Sequence, residues 1–419
     1  MDENSVDGND ARIEAPKGAA LKRSLGLPLA VLYGLGGTIG AGIYVLVGTA
    51  AARAGMQAPF AFVLAALVMA PSAAAFAELS SRLPRSAGEA TYVKEGFKSD
   101  WLALAVGLMV IAVGIVSAAA ISRGSAGYIR AVVDLPEDLI VLAVVLAVGA
   151  IAAWGIVEAV ALVGLMTLIE IGGLLVIIGM GAATLPDLGA RLPEMWPGVG
   201  DVAAWSGVLS ASLIAFFAFT GFEGLANIAE EVKNPARTLP RAIFITLGLT
   251  TLLYVLVVWV ALVAVPRGEL GAARAPLTLV FERVTGASPT IFTVIAIGAT
   301  VNGIIVYMVM ASRVTYGLAA QRLLPTHLAS VNPVTRTPLV ATALVVAAVL
   351  LLAMSFSVEG LAEMTSRVTL VIFAFVNASL LMLKWRRVPA PADAFVVPAW
   401  APFAGLVGSI SLLLSEIVR

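Results

Sequence analysis

The sequence predicts an all-α membrane protein with about eleven transmembrane helices. Three observations lead there. The 419 residues are 60% hydrophobic and 12% charged, with a mean hydropathy of +1.00, whereas a soluble chain carries roughly 25% charged residues. Apolar runs close to the length of a membrane helix, about 20 residues, recur from Leu27 almost to the C-terminus. Basic residues also gather in alternate connections, as they do in the cytoplasmic loops of membrane proteins.

The first 26 residues are polar and have no small-residue cleavage pattern, so they read as a cytoplasmic tail rather than a secretory signal. Runs bounded by charge or by Pro and Gly then place spans at 28–52, 58–82, 101–130, 138–153, 156–184, 206–230, 241–264, 290–318, 338–354, 361–384 and 399–417. With the tail inside, Lys22, Arg23, Arg82, Arg85, Lys94, Lys98, Lys233, Arg237, Arg386 and Arg387 share its side. Only scattered residues such as Arg53, Arg130, Arg191 and Arg267 fall opposite. This predicts a multi-pass protein of the inner or plasma membrane, N-terminus cytoplasmic and C-terminus outside. Ten of the spans divide into two sets of five with opposite orientations, 27–185 and 206–387, leaving 398–419 as an additional helix.

Equal numbers of basic and acidic residues, 26 each, provide no field for nucleic acid. The absence of cysteine and the single histidine leave no thiolate chemistry and no histidine-rich metal site. No Ser/His/Asp set or phosphate loop appears, so neither an enzyme nor a cofactor is expected. The membrane lipid itself is the surrounding partner.

Two spans carry unusual residues. The first reads YGLGGTIGAGIYVLVG, with glycines at 34, 36, 37, 40 and 42. Glycine weakens helices and lets backbone approach a ligand, so an unwound stretch is expected there, with close helix packing as the alternative. Amide groups beyond such a break would form a half-helix N-terminus suited to a carboxylate. The sixth span, FFAFTGFEGLANIAEE, buries Glu223 between Gly221 and Gly224. An acid at that depth is costly and marks a functional site by default. Interruptions in corresponding helices of two halves are the sequence pointer to a midplane site.

Together, GGTIGAGIY, AELSSRLPRSAGEATYV, FFAFTGFEGLANIAEEVKNPARTLPRAI and ASRVTYGLAAQRLLPTHLASVNPVTRTPLVA resemble the amino acid, polyamine and organocation transporter superfamily, an amino acid permease pattern extending from about Leu25 to Arg387. The resemblance implies a leucine-transporter-type 5+5 inverted repeat with broken helices one and six. Many members have twelve spans, one more than are read here. It implies that a substrate carboxylate meets backbone around Gly40, Ala41 and Gly42, and that its ammonium meets carbonyls of Thr38, Phe217 and Thr220 beside Gly221. Phe217 falls where relatives place an aromatic lid, with Phe216, Phe219 and Phe222 as alternatives. Glu223 matches a widespread acid of the family, with a structural or gating role as open as ligand contact.

Span five holds Glu170 with no basic residue within several turns. A carboxyl in apolar surroundings favours its neutral form and can exchange a proton. Relatives place a lysine or a sodium ion in this region, so Glu170 is the candidate for proton coupling, with a hydrogen bond to a neighbouring helix as the other reading. Ser117, Asn302 and Tyr307 line the site or simply bond across helices. Glu363 and Arg367 are spaced for pairing, and His327 belongs to a loop. The function expected is secondary active transport of amino acids by alternating access, as proton symport of neutral or hydrophobic substrates. An exchanger, or a cationic amino acid or polyamine permease, is the alternative; a sensor that binds without moving its ligand ranks behind both.

Overall fold

The computed structural model describes residue 23 and residues 25–85, 87–154, 156–335 and 337–417, with the side chains at 40–41, 156–161, 359 and 415–417 outside the description. Residues 1–22 and 24 of the expected tail 1–26, and the surroundings of the candidate positions Gly40 and Ala41, therefore lie outside the description.

Among the described residues are eleven long helices: α1 (Leu27–Ala54), α2 (Ala58–Arg82), α3 (Asp100–Arg130), α4 (Glu137–Trp154), α5 (Ile156–Thr184), α6 (Val202–Phe219), α7 (Pro235–Ala264), α8 (Pro289–Ala320), α9 (Leu339–Ser355), α10 (Val358–Trp385) and α11 (Trp400–Ile417). Most meet the length and hydropathy of a membrane crossing, α9 and α11 being shorter apolar helices. The starts are chemically marked. Pro28, Pro59, Pro235 and Pro289 sit in first turns, where a missing N–H costs nothing. Ser99, Asp201, Ser288 and Ser357 cap α3, α6, α8 and α10 by accepting from backbone amides.

Span one differs from expectation. It is helical throughout Leu27–Ala54 rather than unwound. Its glycines instead permit close packing: a Cβ at Gly42 would lie 2.2 Å from the Ala218 Cα of α6. Span six does break. α6 ends at Phe219, a short helix resumes at Gly224–Asn227, and a single turn covers Ala229–Glu231.

Packing pairs α1 with α6, α2 with α7, α3 with α8 and α4 with α9. The remaining contacts largely come in matched sets: α1 with α7 and α6 with α2, α5 with α8 and α10 with α3, α3 with α4 and α8 with α9. α1 also lies against α8 and α5, which places it at the centre of the bundle.

Both ends are tied. At the end where α1 begins, Leu25 pairs with Val232 as a parallel bridge, and Arg313 meets Glu231 at 2.9 Å. Nearby, the fully buried Glu78 holds Lys384 at 2.8 Å and Arg82 at 2.5 Å, and accepts from the Val397 amide at 2.8 Å. At the opposite end, Arg53 bridges to Glu363 at 2.8 Å and Arg123 to Glu137 at 2.7 Å. The expected Glu363–Arg367 pair is present at 3.5 Å, and His327 lies exposed in a short turn.

Candidate functional site

The break in span six is built from three residues. Thr220 is extended, with ψ 145°, and Gly221 has φ 125°, a conformation that side chains rarely adopt. A Cβ at Gly221 would lie 2.5 Å from the carbonyl carbon and oxygen of Gly37, so the backbones of α1 and the break meet directly. Glu223 then folds back, and its Oε2 accepts from the Gly221 amide at 2.8 Å. The other oxygen, Oε1, is buried without a partner. Glu223 thus staples the unwound turn while keeping one acceptor free.

Hydroxyl groups from neighbouring helices hold this region. Thr220 donates to the Phe217 carbonyl at 2.7 Å, so Tyr307 of α8, 2.9 Å from the same hydroxyl, donates to Thr220. Ser117 of α3 reaches Tyr307 and lies 3.5 Å from the Thr365 hydroxyl of α10. Tyr254 of α7 sits between the Thr38 carbonyl at 2.7 Å and the Ala218 carbonyl at 2.9 Å, bridging α1 to α6. Of the three carbonyls expected to face an ammonium group, those of Thr38 and Phe217 therefore accept from protein hydroxyls in this conformation. The Phe217 carbonyl also accepts from the Thr220 amide at 3.0 Å, so both of its lone pairs are engaged.

A second polar cluster lies on another side of the same α1 segment. Asn302 of α8 donates to Glu170 Oε1 at 2.8 Å and to the Thr167 hydroxyl at 3.2 Å. A Cβ at Gly36 would lie 2.5 Å from that Thr167 hydroxyl and 3.2 Å from the Asn302 nitrogen. Glu170 is 1% exposed, and both its Oε2 and the Asn302 Oδ1 are buried acceptors without partners. Among the described residues, no ion pair neutralises Glu170 or Glu223. An apolar surrounding makes such a charge expensive, so a proton or a bound cation suits both positions.

The aromatic wall is mostly structural. Phe216 packs on Phe373 at 5.7 Å, Phe219 on Tyr254 at 5.2 Å, and Phe222 on Phe76 at 5.8 Å and Phe373 at 5.7 Å. Phe217 is buried at the end of α6, one residue from the Ala218 that meets Gly42. The structure brings together Thr38, Gly42, Phe217, Thr220, Gly221 and Glu223 at the α1–α6 crossing, with Glu170 and Asn302 on another side of α1. Ser117 joins the first group only through Tyr307.

Sequence reasoning missed Tyr254 and Thr167. A signal existed for the first: the chain has only 7 tyrosines, and Tyr44, Tyr92, Tyr128, Tyr254 and Tyr307 are fully buried. A tyrosine hydroxyl within an apolar span needs a partner on another helix. Tyr128 does the same toward the opposite end, donating to the Tyr44 carbonyl at 2.5 Å.

Residues 25–418 match a family model described as amino acid permease. The chain is 28% identical over 411 residues to the branched-chain amino acid permease of Bacillus subtilis, covering 92% of this chain and 86% of the relative. It is 34% identical over 399 residues to an uncharacterized transporter of Mycobacterium tuberculosis, covering 94% and 86%. It is 29% identical over 406 residues to cationic amino acid transporter 4 of Mus musculus, covering 91% of this chain and 62% of that one.

Proposed function

We propose, for a chain that belongs to the amino acid permease family, that it moves neutral or hydrophobic amino acids by alternating access with protons as the coupling ion. The observation that carries this reading is the α1 segment Gly36–Thr38. It touches the broken turn of span six on one side and the Glu170–Asn302–Thr167 cluster on another. A zwitterion needs acceptors for its ammonium and donors for its carboxylate, and a broken helix supplies both without a fixed ion. Movement of α1 to admit substrate would disturb the environment of Glu170, which couples the two sites physically.

The matched contacts between α1–α5 and α6–α10 support two inverted halves, 27–185 and 206–387. On this reading α11 is an addition, the end bearing Leu25 faces the cytoplasm, and the protein lies in the inner or plasma membrane. Phe217 is the lid and Glu223 holds the hinge at Gly221. The relatives bear on substrate in two ways. One is named for branched-chain amino acids, which agrees with the neutral reading. Another is named for cationic amino acids, and the unpartnered Oε1 of Glu223 would suit a cationic side chain.

Uptake of labelled leucine and arginine into proteoliposomes, with and without a pH gradient, tests the reading. Symport of neutral substrates predicts leucine accumulation that stops when the gradient is dissipated. Arginine uptake in preference to leucine would favour the cationic reading. Uptake that depends only on amino acid already inside would make the protein an exchanger. Tight binding with no flux would make it a sensor.

A further inference from the structure

A third buried carboxyl belongs to neither site. Glu89 lies in the second position of the helix Gly88–Phe97, which connects α2 to α3 at the end where α1 begins. It is 1% exposed, as deeply buried as Glu170. Asn227, from the short helix that resumes span six, clamps it: the Asn227 Oδ1 accepts from the Gly88 amide at 3.2 Å and its Nδ2 donates to Glu89 Oε1 at 3.3 Å. Glu89 Oε2 has no partner, and neither has the buried hydroxyl of Tyr92, which would lie 2.8 Å from a Cβ at Gly88.

We propose that Glu89, held by Asn227 of the broken span six, is a second proton-binding site of the transporter, loaded when the bundle closes at this end and emptied to solvent when it opens. The proposal rests on the transport reading above. The proton leaves the carboxyl oxygen as the Gly88–Phe97 helix and the Gly224–Asn227 segment separate, and the carboxylate so formed is then hydrated.

Neighbouring charges do not relieve Glu89. From the span-six segment it faces Glu223, and from its own helix Tyr92. Beside that segment, Tyr33 of α1 approaches Gly224, and Tyr307 of α8 lies near Glu223. Five of the cations at this end pair with other acids: Arg313 of α8 with Glu231, Lys384 of α10 and Arg82 of α2 with Glu78, Lys94 with Asp100 of α3, and Lys98 with Glu95. α10 presents Ser379 and Phe375 to the Gly88–Phe97 helix, and Gly317 of α8 faces Ala87. Burial pushes the Glu89 carboxyl up to about 8, and Glu223 adds to this, whereas its own backbone amide and Asn227 pull it down. A group protonated when buried and ordinary when hydrated ties closure to pH. Closure weakens as pH rises from the ordinary carboxylate range to about 8, by at most about tenfold per pH unit.

Infrared titration of the purified protein in lipid vesicles reads the protonated carboxyl directly. The expected result is a carboxylic acid carbonyl band lost near pH 8 in the native protein and missing in Glu89→Gln, whose side-chain oxygen still accepts from Asn227. If Glu89→Gln leaves every pH-dependent carboxyl band in place, the proposal is overturned. Asn227→Ala supplies an independent variant should the first fail to fold. Loss of the amide should move the band's midpoint upward, and an unmoved midpoint overturns the proposal. In exchange of labelled amino acid at equal pH on both sides, the native rate should fall between pH 6 and 8, and the fall should be smaller in Glu89→Gln, where only the dependence belonging to Glu170 remains; an unaltered profile counts against it. A native protein that exchanges nothing defeats the transport reading, while the infrared result still judges Glu89 on its own.

Discussion

Replacing Gly221 by alanine adds one methyl group at the point where α1 and the broken turn meet. The native φ of 125° is strained for any side chain, and the added Cβ would lie 2.5 Å from the Gly37 carbonyl. Backbone strain of that kind costs about 1–3 kcal/mol and overpacking a similar ~1–3 kcal/mol. The sum, roughly 2–6 kcal/mol, is a large part of a typical stability of about 5–15 kcal/mol. Gly248 of α7 provides the control, because a Cβ there meets nothing within 4 Å. In an exposed helical position alanine is favoured over glycine by about 0.4–1 kcal/mol. Thermal unfolding in one detergent should therefore place Gly221→Ala well below the native protein and Gly248→Ala at or slightly above it. If Gly221→Ala melts with the native protein, the described contact between the break and α1 is wrong.

Three further substitutions test the surrounding structure. Gly42→Val should prevent accumulation of folded protein, since its Cβ alone would fall 2.2 Å from the Ala218 Cα; size-exclusion chromatography of the solubilised protein would reveal it. Tyr254→Phe removes the hydroxyl between the Thr38 and Ala218 carbonyls and should lower stability by about 0.6–1.5 kcal/mol, read as a small fall in melting temperature. Glu78→Ala leaves Lys384 and Arg82 without their shared carboxylate; breaking a buried pair costs about 3–5 kcal/mol. It should also expose the connection 388–397 to protease, because the Val397 amide loses its acceptor.

The spans were legible because lipid imposes one strong rule: long apolar runs must be helices, and charges and prolines must bound them. The break at Thr220–Gly221 was legible too, since an acid flanked by glycines has few other uses within a span. The glycines of α1 misled. Their number favoured unwinding, but which neighbour each one faces is a tertiary fact, and Gly36 and Gly42 turn out to admit Thr167 and Ala218. Glu170 and Asn302 were each singled out from sequence, yet their hydrogen bond joins residues 132 positions apart. Periodicity carries no information about such a pair. Arg82 reads only as one of the basic residues on the tail's side, and only the folded bundle shows Glu78 holding it together with Lys384.

The central claim is that a substrate site at the α1–α6 crossing is coupled to a proton on Glu170. Uptake of labelled leucine into proteoliposomes, with an imposed pH gradient and with the gradient collapsed, tests it most directly in native protein and Glu170→Gln. Accumulation should require the gradient in native protein, and uptake by Glu170→Gln should be the same with the gradient or without it. Native uptake indifferent to the gradient, or gradient-driven accumulation that survives in Glu170→Gln, would contradict it.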